Sequence, residues 1–395
     1  MRSSGSTAIT DVRLVTADTV TEPTTVVVDD DVIVDITSGT PPDGAIDGRG
    51  ALLVPGLVDS HCDGLEKEIS PRRTVQFPLD YGLRSFEGRV RAAGVTTVCH
   101  GIGFQEKPNS GRSIEHAREM CDAIDRRRSE ESVGVDHRIL FRVEARDAAA
   151  VDPLLDDLGR RDPELGIPLV SFEDHTPGQG QYRDVSQFEA AIDPTLLPEG
   201  VTVKEHVARL IADAETVRHV RDSNRARIAP LARSGAIRLL AHDLETLDDV
   251  AEALDAGAAI AEFPLTPEVA KQAKAEGMTT VMGAPNALRG HSHAGNTSAR
   301  ELVAAGLCDV LASDYMPTAM LAAAFAMAAD GICPLPEAIA LVTSGPAEMI
   351  GARDRGRLEV GAVADLVLVD DRGRWPVVLG VHRAADDIAR KVFSS

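Results

Sequence analysis

The chain has 395 residues, 44% of them hydrophobic and 26% charged, enough for one large α/β domain with an attachment or for two domains. Its formal net charge of −21 argues against nucleic acid or an anionic membrane surface as a partner. Five cysteines without any C-x-x-C spacing fit free thiols, and neither a signal peptide nor an apolar run of membrane-spanning length is read, so a cytoplasmic protein is expected.

Residues 7–50 read as short strands, "TAITDVRLVT" and "TTVVVDDDVIVDI", followed by the turn-rich "TSGTPPDGAIDGRG". From 51 to 354, β-rich runs alternate with helical stretches. The runs are "LLVPGLVDSH", "VTTVCHGIG", "RILFRVEA", "PLVSFEDH", "IRLLAHD", "AAIAEFPLT", "MTTVMGAPN" and "DVLASDY". Among the helices, "LTPEVAKQAKAEGM" has Thr266 suited to the N-cap, Pro267 to the first turn and Gly277 to the stop. Repeated β-then-α order implies a parallel sheet with crossover helices. The α/β pattern predicts a closed (β/α)8 TIM barrel over 51–354, with a doubly wound open sheet as the alternative. Strand character returns after 355, in "GRLEVGAVADLVLVDDRGRWPVVLGV". Residues 1–50 and 355–395 are therefore expected to build one small β-sandwich domain from both termini.

Several runs end in residues able to ligate a metal: His61 and Asp63, Glu144, His175, His242 and Asp314. Residues i and i+2 of a strand share a face, so His61 and Asp63 can converge while Cys62 points away. Catalytic groups of barrels project from the C-terminal ends of strands. Each residue has an ordinary alternative: Glu144 could pair with Arg142 or Arg146, His242 could be a satisfied core histidine, and Asp314 could cap the next helix. Five runs ending this way together point to one site. Three imidazoles and three carboxylates can hold two divalent ions that activate a water; without thiolates, the set suits Zn first, then Mn or Fe.

The His61-x-Asp63 pair after "PGLVD", with His175, His242, Asp314 and the closing "GAVADLVLVD", resembles the amidohydrolase superfamily. The longer strings "HCDGLEK", "SFEDHTPGQ", "IAEFPLT", "MGAPNALRGHSHAGN" and "SDYMPTAMLAAAF" carry the resemblance across most of the chain. It implies metal ligands His61, Asp63, Glu144, His175, His242 and Asp314. Most members have a second His where Asp63 stands, and often a carboxylated Lys bridging the metals. No Lys ends a suitable central strand here, so Glu144 is the expected bridge.

The stretch 284–296 has no apolar period and reads as a loop rather than an element. It holds Asn286, Arg289, His291, His293 and Asn296, a composition suited to enclosing anionic oxygens. Lys67 and Arg72 are further candidates for phosphate contacts, and Asn286, Arg289 and His293 are the expected substrate groups of the loop. The resemblance implies hydrolysis of a ribose 5-triphosphate to the 5-phosphate and pyrophosphate, a step of phosphonate metabolism. Asp314 would accept the proton of the attacking water, and His242 or His293 would serve the departing pyrophosphate. The expected partner is a small anionic phosphorylated substrate, and a homo-oligomer is expected. Two rival readings stay open: hydrolysis of a cyclic amide, amidine or ester by the same metals, and a non-catalytic barrel that binds a partner.

Overall fold

The computed structural model describes residues 6–72, 75–106, 112–130, 133–292 and 295–384. The N-terminal part forms β1 (Thr7–Leu14), β2 (Thr24–Asp29), β3 (Val32–Thr37), β4 (Ile46–Asp47) and β5 (Leu52–Pro55). The β2–β3 hairpin turns at Asp30, whose φ of 51° is left-handed, a conformation Asp tolerates better than most residues. Next come β6 (Leu57–Cys62), β7 (Val95–Phe104), β8 (Asp136–Glu144), β9 (Leu169–Glu173), β10 (Arg238–His242), β11 (Ile260–Glu262), β12 (Thr279–Gly283) and β13 (Val310–Ala312). The chain closes with β14 (Leu366–Asp370) and β15 (Val377–His382).

Strands β6 to β13 lie side by side in chain order, and every resolved pairing along that path is parallel. The ends meet at the C-terminal rim, where the Asp314 N–H donates to the His61 carbonyl at 2.9 Å and the Asp63 N–H to the Asp314 carbonyl at 2.6 Å. The result is a (β/α)8 barrel rather than an open sheet. Its interior is filled by Val58, Cys99, Leu140, Leu169, Leu240, Ile260 and Val281, one from each of seven strands, with Val310 and Ala312 from β13. The segment 347–352 joins the same cluster. A larger apolar layer packs the outer strand faces against the helices. The helix Pro267–Ala275 starts as its residues dictate: Thr266 Oγ1 accepts from the Val269 N–H, Pro267 occupies the first turn, and Gly277 follows with φ 82°.

The remaining strands form one seven-stranded sheet from both ends of the chain, in the order β15-β14-β5-β1-β2-β3, with β4 on β1. Its apolar face gathers Ile9, Val12, Val26, Ile33, Leu53 and Leu366. Residues 52–55, expected within the barrel region, belong instead to this sheet. The run "LLVPGLV" is two strands divided at Gly56. The Gly56 N–H donates to the Asp365 carbonyl, and a Cβ there would come within 2.2 Å of Thr96 Oγ1. Only a residue without a side chain fits where the chain passes from sheet to barrel. Gly56→Ala should therefore cost about 1–3 kcal/mol of stability, the usual penalty of overpacking, read as a lower denaturation midpoint in urea.

Two buried histidines lie away from the barrel mouth. His100 Nε2 meets His137 Nδ1 at 2.9 Å, and His137 Nε2 meets Glu87 at 2.8 Å. Arg127 also binds Glu87 through two nitrogens, tying two helices to the barrel wall. Among the described residues no helix is long and apolar enough to cross a membrane.

Candidate active site

Simple alternation places inward residues at the strand ends: Leu140 leads to Arg142 and Glu144, Leu169 to Ser171, Glu173 and His175, and Leu240 to His242. Strand β6 does not follow the rule from Val58, which would turn Ser60 and Cys62 inward. Its pairing with β7 shifts register between Asp59 and Cys62. The shift reverses the phase, so Cys62 joins the outer core while His61 and Asp63 come together. The neighbouring β7 supplies glycine: a Cβ on Gly101 would lie 2.5 Å from Asp63 Oδ1 and 2.9 Å from Arg142 Cδ. That gap lets two charged side chains meet inside the barrel mouth.

His61 Nε2 lies 3.3 Å from Asp63 Oδ1, and that oxygen is buried without a hydrogen bond. The other Asp63 oxygen accepts from Arg142 Nη1 at 2.6 Å. Arg142 also holds Glu173, with Nε to Oε1 at 2.8 Å and Nη2 to Oε2 at 2.9 Å. Glu173 in turn stands 3.7 Å from His175 Nε2 and 3.8 Å from His242 Nδ1. Glu262, fully buried at the end of β11, accepts from His61 Nδ1 at 2.7 Å and from Ser171 Oγ and His242 Nδ1 at 2.8 Å. Three residues just past strand ends, Asp243, Phe263 and Asp314, have φ of 56°, 55° and 56°. Such strain is rare for a bulky residue and gathers at functional sites; it sets the Phe263 ring 5.4 Å from His61 and 5.2 Å from His242.

Burial dominates the titration of these groups, and neighbouring charges then sort them. Burial would raise Asp63, but Arg142 and His61 outweigh it and hold its carboxyl well below the usual range. Glu173 is lowered to about 2, burial being overcome by Arg142, His242 and His175. Asp314 is raised to about 6, first by burial and then by the negative charge of Asp63. His242 rises to about 9: burial opposes its charge, but Asp243, Glu173 and Glu262 prevail.

The structure brings His61, Asp63, His175 and His242 together, with Asp314 beside them at the barrel closure. Glu144, expected as the bridge, has its Oε2 3.1 Å from His175 Nδ1, while Glu173 faces the other nitrogen of that ring. Arg142 and Arg146 are engaged with Asp63, Glu173 and Asp174 rather than with Glu144. Glu173, its register partner on the next strand, is the carboxylate between two histidines. Neither it nor Glu262 was among the sequence candidates. The strand-end rule reaches both, since Glu262 ends "AAIAE" and Glu173 is two residues before His175.

The segment from 284 is not wholly a loop: Ala284–Arg289 is helical, started by Pro285 and stopped by Gly290 at φ 81°. The Asn286 amide holds this segment, donating to the Thr297 carbonyl and accepting from the Ala299 N–H. It also lines the cavity that Arg289 borders. Arg289 is exposed and borders a cavity of about 70 Å³ together with Asp243, Asn296, Asp314 and Tyr315. Lys67 places Nζ 4.9 Å from the Tyr315 ring centroid. Arg72 is exposed, and its carbonyl accepts from the Val75 N–H. His293 lies outside the described residues.

Two groups can gather ligand atoms within 4.8 Å of one another: His61, His242 and Glu262, and Glu173, His175 and His242. The contact of His61 with Asp63 tests the fit independently. Two ligands on a tetrahedral ion at bond lengths of about 2.0–2.1 Å stand roughly 3.3 Å apart. These two atoms have that spacing, and Asp63 Oδ1 lacks the hydrogen bond that would otherwise explain it. The residues fit a divalent ion.

A barrel with this mouth defines a class, and sequence comparison agrees: the amidohydrolase family matches residues 207–393. The chain is 36% identical over 326 residues to alpha-D-ribose 1-methylphosphonate 5-triphosphate diphosphatase of Escherichia coli (strain K12), covering 82% of this chain and 84% of that one. The chain belongs to the amidohydrolase family and is a hydrolase by that membership. Imidazolonepropionase of Symbiobacterium thermophilum is 25% identical over 92% of this chain and 85% of its own. Among solved structures, an amidohydrolase from an environmental sample of the Sargasso Sea matches with a TM-score of 0.61 at 15% identity, over 97% of this chain and 92% of that one.

Proposed function

We propose that the protein is a metal-dependent hydrolase that cleaves α-D-ribose 1-methylphosphonate 5-triphosphate, or a related ribose 5-triphosphate, between the α and β phosphates. The observation that carries this reading is the likeness to the Escherichia coli diphosphatase over four-fifths of both chains. The site supports it with His61, Asp63, Glu173, His175, His242 and Asp314 as the ligand set, Glu144 lying behind His175. Two divalent ions held there, zinc favoured, would supply Lewis acidity and neutralise charge on the phosphoryl group.

In the reaction a water oxygen bonds to the α phosphorus, the bond to the bridging oxygen breaks, and pyrophosphate leaves. Asp314, ionised above about 6 and set at the barrel closure, takes the proton of the attacking water. His242 has its Nδ1 bound to Glu262 and only Nε2 to offer. It can ligate an ion or deliver a proton, so as a ligand it leaves proton delivery to His293 or solvent. Lys67 and Arg289, at the rim, would meet the outer phosphates, offsetting locally the overall charge of −21. We place the protein in the cytoplasm on its five buried free thiols.

The test is release of pyrophosphate from the triphosphate by protein that carries about two transition-metal ions per chain by elemental analysis. Full activity of a metal-free preparation would refute the metal reading. Arg289→Ala should raise KM by about 1.5–3 kcal/mol in binding terms, the worth of a hydrogen bond to a charged group, with metal content unchanged. The likeness to imidazolonepropionase favours one second reading, hydrolysis of a cyclic amide. Turnover of cyclic amides without any pyrophosphate release, in a protein indifferent to Arg289→Ala, would establish it.

A further inference from the structure

We propose that Glu262 is a positioning residue that clamps two histidines at once, holding the Nδ1–H of both His61 and His242 so that each presents only Nε2 to the metal-binding mouth. The proposal rests on the metal reading given above and adds a residue and a mechanism to it.

Glu262 is fully buried, and both its oxygens are engaged: Oε1 with His61 Nδ1 at 2.7 Å, Oε2 with His242 Nδ1 and Ser171 Oγ at 2.8 Å. An ionised carboxylate only accepts, so both Nδ1 atoms carry protons. An ion bound directly by Glu262 and these two Nδ1 atoms would have to displace both imidazole contacts. The two imidazole planes lie 30° apart with centroids 5.9 Å apart, and the Phe263 ring packs on both. Neither ring is free to turn. The Nε2 atoms face the other way, His61 to Asp63 Oδ1 at 3.3 Å and His242 to Asp243 Oδ2 at 3.6 Å. A carboxylate that fixes one ligating imidazole is a common device. Here a single carboxylate fixes two, so the two imidazoles depend on one group.

Glu262→Gln tests this because it keeps the shape and changes the bonding. The amide offers one acceptor and one donor. Whichever imidazole meets the NH2 must accept at Nδ1, carry its proton on Nε2, and so block its own ligation. Zinc titration of E262Q, folded by its melting curve, should show at least one site weakened by about 10–100-fold, the usual effect of losing such a partner. Nitrogen-15 spectra of zinc-loaded wild-type protein should show both histidines protonated at Nδ1 and bound through Nε2. Zinc bound through Nδ1 of either histidine, or wild-type zinc affinity in E262Q, would overturn the clamp and leave the metal reading intact. A wild-type protein that binds no zinc would overturn both. Should E262Q fail to fold, the wild-type spectra decide alone.

Discussion

Replacing Asp63 by Asn should cost the protein at least one metal ion and lower its rate on the order of 10²-fold or more, the scale of a lost electrostatic stabiliser. Asparagine keeps the size and one oxygen but removes the charge that faces both His61 and Arg142. Arg142, deeply set between Asp63 and Glu173, would then face Glu173 alone. Cys62→Ala, one residue away, should keep its full metal content and lose only packing, because Cys62 lies in the apolar layer outside the barrel. Metal analysis of the two variants side by side is the measurement. Metal loss in Cys62→Ala with retention in Asp63→Asn would mean that the register shift in β6 does not turn these side chains as described.

Zinc uptake by the metal-free protein should strengthen as the pH rises towards about 9. A ligating imidazole must be neutral, whereas His242 keeps its proton up to about 9: burial opposes the charge, but Asp243, Glu173 and Glu262 outweigh it. Below that pH the ion must expel this proton, which weakens binding by roughly a factor of ten per pH unit. At pH 7 the loss from His242 alone is therefore about a hundredfold. His61, where burial is likewise outweighed by Glu262 and Asp63, acts in the same direction. Below about 6 Asp314 takes up a proton as well, burial and Asp63 having raised it, and the loss steepens. Competition with a chromophoric chelator between pH 6 and 9.5 measures the slope. A flat profile would remove His242 from the ligand set.

Much of this architecture is legible before any coordinates. All eight barrel strands coincide with apolar runs, because a parallel strand covered on both faces must be apolar along its length. The caps of Pro267–Ala275 follow from Thr266, Pro267 and Gly277, whose effects are local. The polar ends of those runs mark the mouth of the barrel, since a polar group at a strand end has to be either solvated or functional. The helix at 284–289 is missed because six residues with no apolar stripe carry too little periodicity, although Pro285 and Gly290 are its proper start and stop.

What the sequence by itself determined is the kind of site: imidazoles and carboxylates at the ends of parallel strands, with no thiolate among them. Only the tertiary structure decided which carboxylates stand at its centre. Glu144 and Glu173 end neighbouring strands in register, and nothing in either run ranks one above the other. The choice of Glu173 is made by Arg142 and His242, which reach it from other strands. Glu262 reads as the last residue of one more apolar run until folding brings His61, 201 positions earlier in the chain, onto its oxygen. Strand alternation acts over two residues and can be read along the chain. Charge pairing and hydrogen bonding act through space, so the roles of these groups exist only once the barrel has closed.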